Sequence, residues 1–276
     1  MKAADEDFVM HNGVRIPKIG FGTWQISNGK DAYDAVSFAL QSGYRHIDTA
    51  FAYRNEESVG RAVRDSGIER ENIFITSKLP AEIKSYDEVL KHFDQTMKNL
   101  GMERLDLYLI HAPWPWTQIG SDHTEGNIKV WKAFEEIYKS GRCRSIGVSN
   151  FVIRDLKAIL DNGEIVPMAN QIKYFIGHTQ EEVTDFCRER NILVEGYSPL
   201  ATGAILGNPT VEKIAKKYDV SLPQICIRYV LQRDVLPLPK STHKERILQN
   251  IDVDFEIIEE DMNYLKGLKE LVKTRW

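Results

Sequence analysis

The sequence predicts an α/β chain folded as a (β/α)8 TIM barrel. Eight short β-rich runs alternate with eight longer amphipathic stretches along the 276 residues, the signature of a parallel barrel ringed by helices. No Pro/Gly/Ser-rich linker or low-complexity segment divides them, so one barrel domain over 1–276 is expected. No G-x-G-x-x-G stretch follows the first run, which leaves a Rossmann dinucleotide domain unsupported.

The elements follow in order. Residues 8–18 carry an Asn12-Gly13 pair and read as a β-hairpin ahead of the barrel. Strands are expected at 19–24, 46–50, 73–78, 105–111, 145–150, 168–172, 193–198 and 236–241. Helices are expected between and after them, at 30–42, 56–66, 86–100, 125–140, 153–160, 179–189, 210–218 and 243–251. In the third of these, Val89, Leu90, Phe93, Met97 and Leu100 recur at helical spacing, and Gly101 stands where a helix-ending glycine belongs. Several helix starts follow Ser, Thr, Asp or Asn, which cap free amides. Residues 257–271 read as an extra C-terminal amphipathic helix.

Composition narrows the function. Hydrophobic residues make up 42% and charged residues 28%, so a core can form without disulfides or metals. The net charge of −4, with no basic block, argues against nucleic acid as a partner. The apolar runs are strand-sized, too short for a membrane span. The start, MKAADEDFVM, has no apolar core of a signal peptide. Cys143, Cys187 and Cys226 are odd in number and far apart, as expected of free thiols in a cytoplasmic protein. No metal-ligand cluster stands out, and no heptad or self-complementary patch, so a monomer without a metal is expected.

Barrel active sites lie where the strands end at their C-termini. The second strand ends in Asp48-Thr49-Ala50 with Tyr53 just beyond, the third at Lys78 and the fourth at His111. Singly, Asp48 reads equally as a loop or cap residue, Tyr53 as packing and His111 as a core histidine. Lys78 is harder to dismiss, because a lysine ending the apolar run Ile73-Phe74-Ile75 must be paired. Together they compose a general acid. A phenol titrates near ~10 and an adjacent ammonium lowers that value. Asp48 would orient Lys78, and His111 would hold a substrate oxygen. No activated Ser or Cys supplies a nucleophile, so hydride from a nicotinamide fits the missing partner of a small-molecule carbonyl substrate.

The later strand ends suit such a cofactor. Ser149, Asn150 and Gln171 offer a hydroxyl and amides to a carboxamide, and Tyr197 a flat ring, although each has an ordinary packing or loop reading. Lys240, Ser241, Thr242 and Arg246 gather two cations and two hydroxyls at a helix start, a phosphate-binding composition. Trp24, Trp114 and Trp116 are candidate walls for the substrate.

At these residues the chain resembles the aldo-keto reductases, from about residue 12 to about residue 250. The resemblance rests on Gly-Phe-Gly-Thr-Trp (20–24), Gly-Tyr-Arg-His-Ile-Asp-Thr-Ala (43–50) with Tyr53, and Glu-Ser-Val-Gly (57–60). It continues through Thr-Ser-Lys (76–78), Leu-Ile-His (109–111), Gly-Val-Ser-Asn-Phe (147–151), Asn170-Gln171, Tyr-Ser-Pro-Leu (197–200) and Pro-Lys-Ser (239–241). It implies NADPH as cofactor, with NADH weaker, and a tetrad of Asp48, Tyr53, Lys78 and His111 in which Tyr53 protonates the carbonyl oxygen. Ser149, Asn150 and Gln171 would hold the carboxamide, and Tyr197 would stack on the nicotinamide. Lys240, Ser241, Thr242 and Arg246 would take the 2′-phosphate side, and Gln249 and Asn250 would approach the adenine. The matching stretches add Gly22, Thr23, Trp24, Ser198, Pro199 and Leu200 to the cofactor contacts, and Trp24, His111 and Trp114 to the substrate contacts. Two departures stand out. Ala112-Pro113 intervene before Trp114, where many members place a tryptophan directly after the histidine. The short tail after the last helix suggests an open pocket, as in bacterial members similar to diketogluconate reductases.

Two other readings compete: a Schiff-base barrel lyase or aldolase with Lys78 as nucleophile, and a non-catalytic cofactor-binding protein. The first leaves the phosphate-binding composition unexplained, and the complete tetrad weighs against the second.

Overall fold

An antiparallel hairpin, β1 (Asp7–Val9) and β2 (Arg15–Pro17), leads into the barrel. The computed structural model describes residues 5–269 and 271–272. The hairpin turn docks on chain entering two later strands: the Asn12 amide donates to the Arg144 carbonyl at 3.0 Å, and His11 Nε2 lies 3.3 Å from the Pro167 carbonyl. With Met10 and Ile16 buried, it covers the end of the barrel opposite the strand C-termini.

The barrel strands are β3 (Phe21–Gly22), β4 (His46–Asp48), β5 (Phe74–Leu79), β6 (Leu107–Ile110), β7 (Ile146–Ser149), β8 (Ala169–Lys173), β9 (Leu193–Tyr197) and β10 (Leu236–Leu238). They pair in parallel, each beside its neighbour in the chain. The Gly20 and Gly22 amides donate to the Pro237 and Pro239 carbonyls at 3.1 and 2.9 Å, joining the first strand to the last. All residues of β3 to β8 and of β10 are buried. Helices cover one face and side chains fill the other, which is why these strands read as apolar runs rather than alternating ones.

The surrounding helices are α1 (Lys30–Gln41), α2 (Glu56–Asp65), α3 (Tyr86–Leu100), α4 (Thr124–Lys139), α5 (Ile153–Asn162), α6 (Glu181–Arg188), α7 (Pro209–Lys217), α8 (Leu222–Gln232), α9 (Lys244–Ile251) and α10 (Glu259–Gly267). Helix α3 buries Val89, Phe93, Met97 and Leu100, and ends at Gly101 with φ 63°, a left-handed stop that favours glycine. Its neighbour α2 approaches so closely that a Cβ on Gly60 would lie 2.0 Å from the Leu100 carbonyl oxygen.

Helix α8 was not expected from the sequence. Leu222, Ile225, Cys226, Ile227, Tyr229, Val230 and Leu231 are all buried. Apolar residues take up most of its circumference and confine the polar ones, Gln224, Arg228 and Gln232, to a narrow stripe, so the amphipathic signal is weak. Ser221 and Gln224 cap its start, with a proline in the first turn where no helical hydrogen bond is lost. The first barrel strand shrinks to Phe21–Gly22, leaving Trp24 beyond it. The last helix is shorter than 257–271, and residue 270 lies outside the described residues, as do 1–4 at the start and 273–276 in the tail. No described helix is long and apolar enough to cross a membrane.

Candidate active site

At the C-terminal mouth of β4 and β5, Lys78 is completely buried. Its ammonium donates to Asp48 Oδ1 and Oδ2 at 2.7 and 2.8 Å and to the Thr49 carbonyl at 2.9 Å. Burial alone would pull this lysine down. The Asp48 and Tyr53 charges outweigh it and hold the ammonium above the ordinary lysine value. A lysine so held is a poor nucleophile, which weighs against the Schiff-base reading.

Lys78 Nζ lies 3.5 Å from the Tyr53 hydroxyl. Tyr53 ends a single 3-10 turn, Phe51–Tyr53, on the connection after β4. Buried Asn55 clamps that connection, accepting from the Thr49 hydroxyl at 2.8 Å and donating to the Thr23 and Ile26 carbonyls at 2.9 and 3.0 Å. The sequence alone suggested that Lys78 would lower the Tyr53 phenol. Burial pushes it up instead, and Lys78 only partly opposes this.

His111 follows β6, its ring edge-on to Tyr53 at 5.5 Å. Its Nδ1 is buried without a hydrogen-bond partner. Burial and the Lys78 charge keep it well below the usual imidazole range, so it is neutral near pH 7, with one donor and one acceptor nitrogen. Structure therefore unites Asp48, Tyr53, Lys78 and His111 at one mouth. The thiols stay apart from this chemistry: burial pushes Cys143 up to about 12 and Cys187 to about 11.

Trp116, not Trp114, packs against His111, with ring centres 5.3 Å apart and planes at 88°. Trp114 is one ring removed, edge-on to Trp116 at 5.2 Å. Ala112-Pro113 displace the aromatic along the chain, and of the two loop tryptophans Trp116 is the one that turns back beside the His111 ring. Lys84 and Asn127 brace this loop. The Lys84 ammonium donates to the Ala112 carbonyl at 3.1 Å and to Asn127 Oδ1 at 2.8 Å, and Asn127 donates to the Pro113 carbonyl at 2.9 Å. Trp24 is 42% exposed at the mouth.

On the far side, Ser149, Gln171 and Glu195 stand in register across β7, β8 and β9. The Ser149 hydroxyl donates to the Gln171 carbonyl at 2.9 Å. Asn150, held at φ 62°, donates to the His111 carbonyl at 2.9 Å and accepts from the Tyr197 hydroxyl at 2.7 Å. These polar ends form a prearranged network rather than a set of loose side chains. Gln171 Nε2 donates to Asp48 Oδ2 at 2.8 Å and to Glu195 Oε2 at 2.9 Å. Neither Glu195 nor Asn55 was singled out from the sequence. The available signal for Glu195 was an acid on a buried strand, two residues before Tyr197 and so on its face.

Beyond β10, Lys240, Thr242 and Arg246 are exposed and Ser241 is buried. Ser241 Oγ accepts from the His243 amide at 3.0 Å. Helix α9 begins here with no side-chain cap on its first amides. Gln249 is exposed and Asn250 buried at the other end of α9. Gly22 lies across the barrel joint, where a Cβ would stand 3.5 Å from the Leu238 carbonyl. The buried Thr23 hydroxyl donates to the Asp48 carbonyl at 3.0 Å. After β9, Ser198 has φ 53°, Pro199 is buried and Leu200 is partly buried.

The aldo/keto reductase family model matches residues 18–270. Glyoxal reductase of Bacillus subtilis is 41% identical over 262 residues, covering 95% of this chain and 92% of its own. An aldo-keto reductase from a Medee basin deep-sea metagenome library superposes with a TM-score of 0.91 at 40% identity, over 98% of this chain and 97% of its own. A Bombyx mori aldo-keto reductase solved in complex with NADP superposes with a TM-score of 0.87 at 32% identity, over 99% and 95%.

Proposed function

The chain belongs to the aldo/keto reductase family, and from that membership we propose that Tyr53 is the acid of its NADPH-dependent carbonyl reduction, with Lys78, Asp48 and His111 setting its work. The enzyme reduces aldehydes or ketones to alcohols, reversibly. The observation that carries the residue assignment is the fully buried Lys78 ammonium, chelated by Asp48 and 3.5 Å from the Tyr53 hydroxyl.

Bound at this mouth, NADPH would supply the hydride that the carbonyl carbon takes up. The chain supplies the rest. Tyr53 keeps its proton near neutrality, because burial raises its phenol, and is ready to donate to the carbonyl oxygen. As that proton leaves, charge develops on the phenol oxygen beside Lys78, which stabilises it without moving. Asp48 keeps Lys78 charged and aimed. Neutral His111 offers a hydrogen bond to the same substrate oxygen, and its neutrality spares Tyr53 a second cation. In the oxidative direction the same groups run in reverse.

The chain's donors suit NADPH. The Ser149, Asn150 and Gln171 network would hold the carboxamide, Tyr197 would stack on the nicotinamide, and Gly22 to Trp24 with Ser198 to Leu200 would flank the cofactor. Lys240, Ser241, Thr242 and Arg246 at the open start of α9 would hold the 2′-phosphate, with Gln249 and Asn250 near the adenine. Losing one charge-assisted contact at this exposed place costs roughly tenfold in affinity. Arg246→Ala is thus expected to weaken NADPH about that much and leave the weaker cofactor, NADH, nearly unchanged. Fluorescence titration with each cofactor checks this, and equal losses would remove the phosphate assignment.

Trp24, His111 and Trp116 would wall the substrate, with Trp114 supporting from behind. The edge-on Trp116 ring holds His111 in place, and such a ring pair contributes ~0.5–1.5 kcal/mol, so losing it would loosen the His111 contact to the substrate oxygen by roughly two- to tenfold. Trp116→Ala should raise KM for a small carbonyl such as glyoxal by that factor, and Trp114→Ala should change it less. Steady-state kinetics on both variants decide which ring faces substrate. We place this activity in a single cytoplasmic domain that works as a monomer, in keeping with its three free thiols.

A further inference from the structure

Glu195 is a fully buried acid that neither the tetrad nor the cofactor contacts use. It stands on β9 in register with Gln171 and shares the inward face with Tyr197. Gln171 Nε2 donates to Glu195 Oε2 at 2.9 Å and to Asp48 Oδ2 at 2.8 Å, so both hydrogens of one amide are committed to carboxyl oxygens. Glu195 Oε1 is buried with no partner. A bare carboxylate oxygen in a dry interior is costly, and a proton on Oε1 removes the charge while Oε2 goes on accepting from Gln171. The charged groups facing Glu195 are Asp48 of β4 and Lys78 of β5. Burial first, and then the Asp48 charge, push the carboxyl up to about 7, against the pull of Gln171 and Lys78.

We propose that Glu195 is a positioning residue whose charge, transmitted through the Gln171 amide and Asp48, tunes the site between the oxidised and the reduced nicotinamide. This rests on the reading that Gln171 lies beside the nicotinamide. The oxidised ring carries a positive charge that the reduced ring lacks. A second carboxylate beside Asp48 favours the cationic ring, and a neutral acid gives up that preference. Binding of NADP+ and loss of the Glu195 proton therefore support each other.

The test is the ratio of dissociation constants, NADPH over NADP+, followed by tryptophan fluorescence from about pH 5.5 to about pH 8.5, either side of the raised Glu195 carboxyl. Taking the ratio cancels titration of the 2′-phosphate that both cofactors carry. In the native protein it should rise about tenfold, the scale of one partly screened charge at this range. In Glu195→Gln, neutral throughout, it should stay flat. Glu195→Met, also neutral, answers the same question where the glutamine variant fails to fold. A residue with only a structural part would shift Tm and leave the native pH trend in the variants. Equal trends in native protein and variants, or no trend in either, overturn the proposal. Gln171→Leu tests the underlying reading separately: unchanged affinity for both cofactors would remove the nicotinamide from Gln171, whereas weakened affinity with a flat native ratio would sink only the part given to Glu195.

Discussion

Tyr53→Phe is expected to cut kcat for carbonyl reduction by about 10²–10⁴-fold, the range general acid catalysis contributes, while NADPH affinity stays within about twofold of native. The ring remains, so its edge-on contact with His111 and its packing after β4 survive. Only the hydroxyl 3.5 Å from Lys78 Nζ is lost. Circular dichroism would confirm the fold, fluorescence titration the cofactor site, and single-turnover NADPH oxidation the chemical step. Near-native turnover in a folded variant would remove Tyr53 as the acid.

Lys78→Met should have the largest combined effect, on stability and on rate. It leaves the Asp48 carboxylate buried without its cation, and breaking a buried pair from one side costs ~3–5 kcal/mol. For a domain of this size that is a fall in Tm of roughly 5–10 °C. The double variant Asp48→Asn with Lys78→Met removes both charges, and an asparagine oxygen can still accept from Gln171. It should recover most of the lost Tm and none of the lost kcat. Recovery of both would mean that the pair serves the fold alone. pH adds a separate check. The folded Lys78 titrates above its unfolded value, so its contribution is fully present below the unfolded lysine range and fades only as pH rises through the higher folded value. Native stability should therefore show no loss from this pair between about pH 6 and pH 9, well below the lysine range.

The parts of this molecule that could be read from its residues are those where one local pattern has one cause. Lys78 at the end of an apolar strand announced a buried cation, and a buried cation needs its Asp48. The barrel followed from alternation, and the site from the rule that barrel strands deliver chemistry at their C-termini. The missed parts depend on what surrounds a residue. Helix α8 is apolar around most of its circumference, so its narrow polar stripe gives periodicity little to find. Trp116 takes the place beside His111 because of how Ala112-Pro113 route the loop, a path fixed by Lys84 and Asn127 from other elements. Asn55 and Glu195 matter through partners distant in sequence, at Thr23 and at Asp48 by way of Gln171. The direction of the Tyr53 shift likewise needed the depth of burial, which no spacing encodes.

The joint between the first and last barrel strands differs in kind from the others. Its bonds run one way, from Gly20 and Gly22 to Pro237 and Pro239, and proline has no N–H with which to answer. Elsewhere adjoining strands are laced in both directions. The ring thus has a hem stitched from one side, beside Lys240, with fewer bonds across it than the full ladders around Lys78. Any give in the ring would fall first on that hem and spare the spacing of the acid and its ammonium, which the full ladders hold.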